Sequence, residues 1–114
     1  MKEDALLGVW TGTVRNANEW EMKITISVLK PFEVGSTLGL FEIPMLPCSG
    51  TFRVVIIRGE TIELSAENLQ GDCWKADFDS VELLPDGNLL YVSRGRNWEA
   101  KGILQRVFDD HMIS

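Results

Sequence analysis

Two cysteines, one histidine and a scatter of acids are the residues of this chain that could do covalent or metal chemistry. Cys48 and Cys73 form neither a CxxC pair nor any zinc spacing. A thiol nucleophile acts as its thiolate and needs a nearby base or cation. Lys75, two positions from Cys73, is the one such neighbour of either cysteine in the sequence. His111 stands near the chain end with no second candidate base, so neither a Ser-His-Asp nor a Cys-His arrangement has a core to build on. Asp77 and Asp79, preceded by Asp72, suggest a hard-cation site, but the plainer reading is the wet outside of a strand. Asp109-Asp110-His111 could ligate a metal, against the plainer reading of a frayed tail. The glycines stand singly at turns and bends, so no phosphate-cradling loop is present. No spacing singles out a carboxylate pair for glycoside chemistry. The chain therefore reads as a non-enzyme with no metal site and no cofactor.

The aromatic residues carry a stronger suggestion. Trp10, Trp20, Trp74 and Trp98 all fall on faces that residue alternation predicts to point inward. Trp is large and apolar with one N–H that needs a partner when buried. Four inward indoles in so small a protein could line an aromatic pocket or could fill the interior and leave none. In the pocket reading, Trp20, Trp74, Tyr91 and Trp98 supply the stacking and apolar walls.

The elements that must position these residues are short strands. Helix signals are nearly absent. From Trp20 to Val28 the even positions are Trp20, Met22, Ile24, Ile26 and Val28, and the odd ones are Glu21, Lys23, Thr25 and Ser27. Successive strand side chains point to opposite faces, so this is a strand with one dry side. Before it, Gly8 to Arg15 forms a first strand with Trp10, Gly12 and Val14 together, and Asn16-Ala17-Asn18 turns the pair into a hairpin. Ser36 to Ile43 is a third strand, followed by an irregular connection that Pro44 and Pro47 impose. Thr51 to Ile57 and the alternating run Ile62, Leu64, Ala66 are the fourth and fifth. A sixth starts near Cys73 with Trp74, Ala76 and Phe78 on one face. Val81 and Leu83 have the other parity, which predicts a bulge near Asp79-Ser80. Leu89 to Ser93 follows the turn Pro85-Asp86-Gly87-Asn88. The eighth, Trp98 to Val107, aligns Trp98, Ala100, Gly102, Leu104 and Arg106. Evenly spaced antiparallel strands of this number predict an all-β, eight-stranded up-and-down barrel, which removes unpaired edges. Its interior is just wide enough for side chains or for one small ligand.

Composition narrows the partners. At 114 residues the chain is one domain. Its 45% hydrophobic and 25% charged content is that of an ordinary globular protein. The formal net charge of −6 and the lack of clustered Lys and Arg set nucleic acid and anionic membrane aside. Residues 1–7 hold no secretory signal, so the chain reads as cytoplasmic by default, or extracytoplasmic if an upstream region has been removed. Cys48 and Cys73 remain open. Bridged, they close a loop worth roughly 3 kcal/mol; free, they are two buried thiols, as a reducing cytosol favours.

Gly8-Val9-Trp10 at the first strand resembles the opening signature of lipocalins and their calycin relatives. The resemblance implies a calycin-type barrel in which Trp10 closes the floor and Arg106, on the last strand, packs across it. A closer resemblance runs from Gly8 to Arg106, to a small domain found C-terminal to some bacterial serine/threonine kinases and in stand-alone bacterial proteins of unknown role. The matching stretches are Gly8-Val9-Trp10-Thr11-Gly12, Val34-Gly35-Ser36-Thr37-Leu38-Gly39, Ile43-Pro44, Cys48-Ser49-Gly50, Cys73 and Asp86-Gly87-Asn88-Leu89-Leu90-Tyr91. That domain lies outside the membrane, which implies a Cys48–Cys73 disulfide. Some calycin-like barrels catalyse isomerisation or lyase reactions, but no residue set here supports either. The expected function is a non-enzymatic binding or sensor module for a small apolar or aromatic ligand. The alternative is a solid barrel working as an interaction or oligomerisation domain, a homodimer for instance, through the outward Val9, Ile103 and Val107.

Overall fold

The computed structural model describes residues 3–17 and 20–107. A 3-10 turn over Glu3–Leu6 leads into eight strands. These are β1 (Gly8–Asn16), β2 (Glu21–Val28), β3 (Thr37–Ile43), β4 (Cys48–Arg58), β5 (Thr61–Gly71), β6 (Phe78–Leu83), β7 (Leu89–Arg94) and β8 (Glu99–Val107). Each strand pairs antiparallel with its neighbours in sequence, and β1 pairs with β8. The sheet is thus a closed, eight-stranded, up-and-down barrel. Closure satisfies the two rows of backbone groups that an open sheet would leave unpaired.

Period-two patterning sets which side chains go inside. On β2, Ile24, Ile26 and Val28 are buried while Glu21 and Lys23 are exposed. The inner faces of the other strands add Trp10, Val14, Phe41, Ile43, Phe52, Val54, Ile62, Leu64, Val81, Leu89 and Leu104. Each fully buried aliphatic or Phe side chain contributes about 1.5–3 kcal/mol. Phe41 and Phe52 stack at 4.4 Å between ring centroids, and Tyr91 lies 6.1 Å from Phe52 at a tilt.

The floor of the barrel is closed by the first and last strands. Trp10 is 0% exposed, and its indole N–H donates to the Leu6 carbonyl at 3.0 Å. Arg106 lies opposite Trp10 in the β1–β8 ladder, with its guanidinium 4.4 Å from the Trp10 ring centroid. The same guanidinium donates to the carbonyls of Leu7 and Ala5. One side chain therefore ties the closing strand to the indole and to the chain entering β1.

Three expectations are corrected. β6 does not start near Cys73. It starts at Phe78, because β5 runs on to Gly71 and the connection that follows crosses the barrel mouth without pairing as a strand. There is no bulge at Asp79-Ser80, since β6 pairs with β7 in unbroken register from Phe78–Arg94 to Leu83–Leu89. The change of parity arises because Trp74 and Ala76 belong to the connection and not to the strand. The register shifts lie elsewhere, between Thr37 and Gly39 on β3 and at Ser49/Thr51 and Val54/Ile56 on β4. Third, Asp79 is not on the solvated outside. It points inward beside Val81 and is 3% exposed.

Candidate functional site: a tryptophan cup at the barrel mouth

In an up-and-down barrel the connections β1–β2, β3–β4, β5–β6 and β7–β8 all meet at one end, here opposite the Trp10 floor. Three of them carry a tryptophan. Trp20 sits at the exit of the β1–β2 turn, where its backbone N–H donates to Asn16 Oδ1 at 3.3 Å. Trp98 sits at the exit of the β7–β8 turn, where its carbonyl accepts from Gly95 N–H at 3.0 Å. Cross-strand ion pairs brace both hairpins, Arg15–Glu21 at 2.9 Å and Arg94–Glu99 at 2.7 Å. Exposed pairs of this kind are worth about 0–1 kcal/mol each.

Trp74 comes from the β5–β6 connection. Its ring lies 5.4 Å from Trp20 and 6.1 Å from Trp98, nearly perpendicular to the latter. The connection is fastened by a disulfide between Cys73 and Cys48 at the start of β4, with Cα atoms 4.9 Å apart. The choice left open between free thiols and a bridge is thus settled by where the fold puts the two residues. Backbone bonds from Asp72 N–H to the Pro47 carbonyl (3.0 Å) and from Asp77 N–H to the Arg94 carbonyl (2.8 Å) fix its two ends. Trp20, Trp74, Trp98 and Asn16 line an open concavity of about 290 Å³.

A buried polar group lies beneath the cup. Trp74 Nε1–H donates to Ser93 Oγ at 3.2 Å. The Ser93 side chain also hydrogen-bonds Asp79, and Tyr91 O–H donates to Asp79 Oδ1 at 2.8 Å. Burial pushes the Asp79 carboxyl above the usual carboxylate range, although the bonds from Ser93 and Tyr91 oppose the shift. Burial, and then the neighbouring carboxylate, hold the Tyr91 phenol well above its usual range. No described buried side-chain polar atom lacks a partner. This acid acts as an internal tie, since it accepts from Tyr91 and is bonded to Ser93, which receives the Trp74 indole N–H.

Of the residues that the sequence suggested for a ligand, Trp20, Trp74 and Trp98 come together and Tyr91 does not join them. Tyr91 is buried below Trp74 with its hydroxyl committed to Asp79. The three indoles of the mouth are half-buried; of the four tryptophans only Trp10 is wholly inside. The gap left among Phe41, Phe52, Trp74, Asp79 and Tyr91 is about 10 Å³, which is room for at most one water. The barrel interior therefore has no space for a ring-sized molecule, and the concavity that the three indoles line lies outside it, at the mouth. Sequence reading missed Asp79 and Ser93. The signal was present: Asp79 and Val81 share a parity, as do Leu89, Tyr91 and Ser93, and each set forms one strand face.

Among the described residues no group of three or more His, Cys, Asp or Glu is placed to hold a metal ion. His111 and the Asp109-Asp110-His111 stretch lie outside the described residues, as does Asn18 of the first turn. No protein family, curated protein or solved structure matches this chain.

Proposed function

We propose that this protein is a non-enzymatic binding module that takes a small planar apolar or aromatic molecule in the cup formed by Trp20, Trp74 and Trp98. The observation that carries the reading is the convergence of three indoles from three separate connections around one open concavity. Burying an indole face against a flat ligand adds stacking of about 0.5–1.5 kcal/mol per ring pair to the area term. The cup needs no rearrangement to present those faces, because the hairpins and the disulfide already hold them. The calycin relationship is part of the same proposal, supported by Gly8-Val9-Trp10 and by Arg106 lying across Trp10.

Titrating the protein with indole, naphthol and a series of aliphatic alcohols, with tryptophan fluorescence as the readout, tests this. Aromatic members are expected to quench and shift the emission saturably, and Trp98→Ala is expected to weaken binding about tenfold. A flat response across the whole series would exclude the cup as a binding site.

A second reading rests on the outer face where the barrel closes. Val9 stands opposite Val107, and Ile103 and Val107 are each 46% exposed. A sheet face of this kind supports self-association, and sedimentation of Ile103→Lys beside the unaltered chain tests it. Identical monomer-sized species from both would end that reading.

A further inference from the structure

Cys73 immediately precedes the central indole of the cup. The connection over residues 72–77 belongs to no strand, and its two backbone bonds to the barrel lie at its ends, at Asp72 and Asp77. Between those ends Trp74 is held by its bond to Ser93, by its ring neighbours and by the covalent link one residue away. Cys48 is buried on β4, whereas Cys73 is partly exposed. A recess along Pro44, Pro47, Gln70 and Gly71 reaches Cys48 from outside. The bond is thus set in the wall of the mouth, joins a buried cysteine to a partly exposed one, and is fastened to the connection that carries Trp74.

We propose that the Cys48–Cys73 disulfide is a redox control on the assembly of the cup. The oxidised protein holds Trp74 between Trp20 and Trp98. The reduced protein releases it and leaves two separated indoles. The consequence for ligand binding rests on the reading of the cup given above; the consequence for the indoles does not. The reductant is a dithiol. Its thiolate attacks Cys73 Sγ, the sulfur–sulfur bond breaks, and the electron pair leaves on Cys48 Sγ, which takes a proton. The second thiol of the reductant then closes its own disulfide and expels Cys73 Sγ, which takes the other proton. Two electrons and two protons pass to the protein, and the reductant leaves as a cyclic disulfide. The barrel does not depend on this bond for closure, because the β5–β6 ladder from Thr61–Glu82 to Leu64–Asp79 lies away from it.

The test compares the oxidised chain with the same chain after dithiothreitol, and with the Cys48→Ala/Cys73→Ala double variant. Circular dichroism reports both the exciton couplet of the adjoining indoles and the sheet signal, and naphthol serves as the probe ligand. Reduction is expected to collapse the couplet, keep the sheet signal and weaken naphthol binding about tenfold, the effect of losing one preordered ring. A couplet unchanged in both the reduced chain and the double variant would overturn the proposal. So would loss of the sheet signal together with the couplet, which would make the bond a support of the barrel and not of the cup. Collapse of the couplet with the sheet intact, but with naphthol binding neither form, would uphold the redox control and sink the ligand reading alone.

Discussion

Tyr91 and Asp79 meet inside the barrel with a hydroxyl-to-carboxylate hydrogen bond of 2.8 Å, from strands that pair through Val81–Tyr91 and Asp79–Ser93. The phenol faces the hydrophobic core through Phe52, and the acid is shared with Ser93, which in turn receives the Trp74 indole N–H. The barrel wall and the cup above it are therefore joined through one buried acid.

That acid makes stability depend on pH. Its folded value is raised by burial, so the folded chain holds the proton more tightly than the unfolded chain does. The stabilisation is fully present below the ordinary carboxylate range and is lost as pH rises through the folded value. Tyr91, also raised, adds a second fall above the ordinary phenol range. In urea unfolding across pH, Asp79→Asn is expected to remove the first fall, because Asn keeps an acceptor for Tyr91 without a charge. A variant whose pH profile matches that of the unaltered chain would contradict this.

Tyr91→Phe leaves the Asp79 oxygen without its phenol donor while keeping the ring. The expected loss is about 1–3 kcal/mol, the cost of a buried polar atom deprived of a partner. Urea midpoints at neutral pH read it. A loss that vanishes in the Asp79→Ala background, where no acceptor for the phenol remains, would show that the two residues act as a pair.

Arg106 combines a guanidinium over Trp10 with hydrogen bonds to two carbonyls of the entering chain. Arg106→Ala is expected to lower stability by about 2–4 kcal/mol, the sum of a partly desolvated cation–π contact and charge-assisted hydrogen bonds. Arg106→Lys is expected to recover only part of it, since an ammonium lacks the planar fork. Equal stability of the Lys variant and the unaltered chain would argue against the planar contact.

Gly95 gives Trp98 its seat. A Cβ at this position would overlap Trp98 Nε1 and the adjoining ring atoms. Gly95→Ala is expected to swing the indole out of the cup and reduce the tryptophan couplet, while shifting the urea midpoint by less than Tyr91→Phe does. An unchanged couplet would show that the ring has another way to fit.

Phe52 is fully buried, stacked on Phe41, and it borders the small gap beneath Trp74. Phe52→Ala is expected to cost about 3–5 kcal/mol, the transfer and cavity terms together. It also enlarges the gap to the size of a ring. Recovery of thermal stability on adding benzene would show that the new cavity stays dry and apolar, as engineered apolar cavities do.

The sequence by itself determined the barrel. Alternation from Met22 to Val28, the lone turn glycines and the even spacing of strands are local signals, and each states which side of a strand is dry. The inward places of Trp10 and Arg106 follow from the same parity. Only the tertiary structure decided what happens at the mouth. Trp74 lies in a connection, where no period applies, so its place is set by a disulfide to a strand 25 residues earlier and by Ser93 on β7. Asp79 looked like a surface acid because its type outweighed its parity. A carboxyl goes inside only when distant partners satisfy it, and Tyr91 and Ser93 come beside it only once β6 and β7 have paired. Contacts between residues far apart in the chain leave no period in the sequence, and for that reason the cup became legible only in the folded barrel.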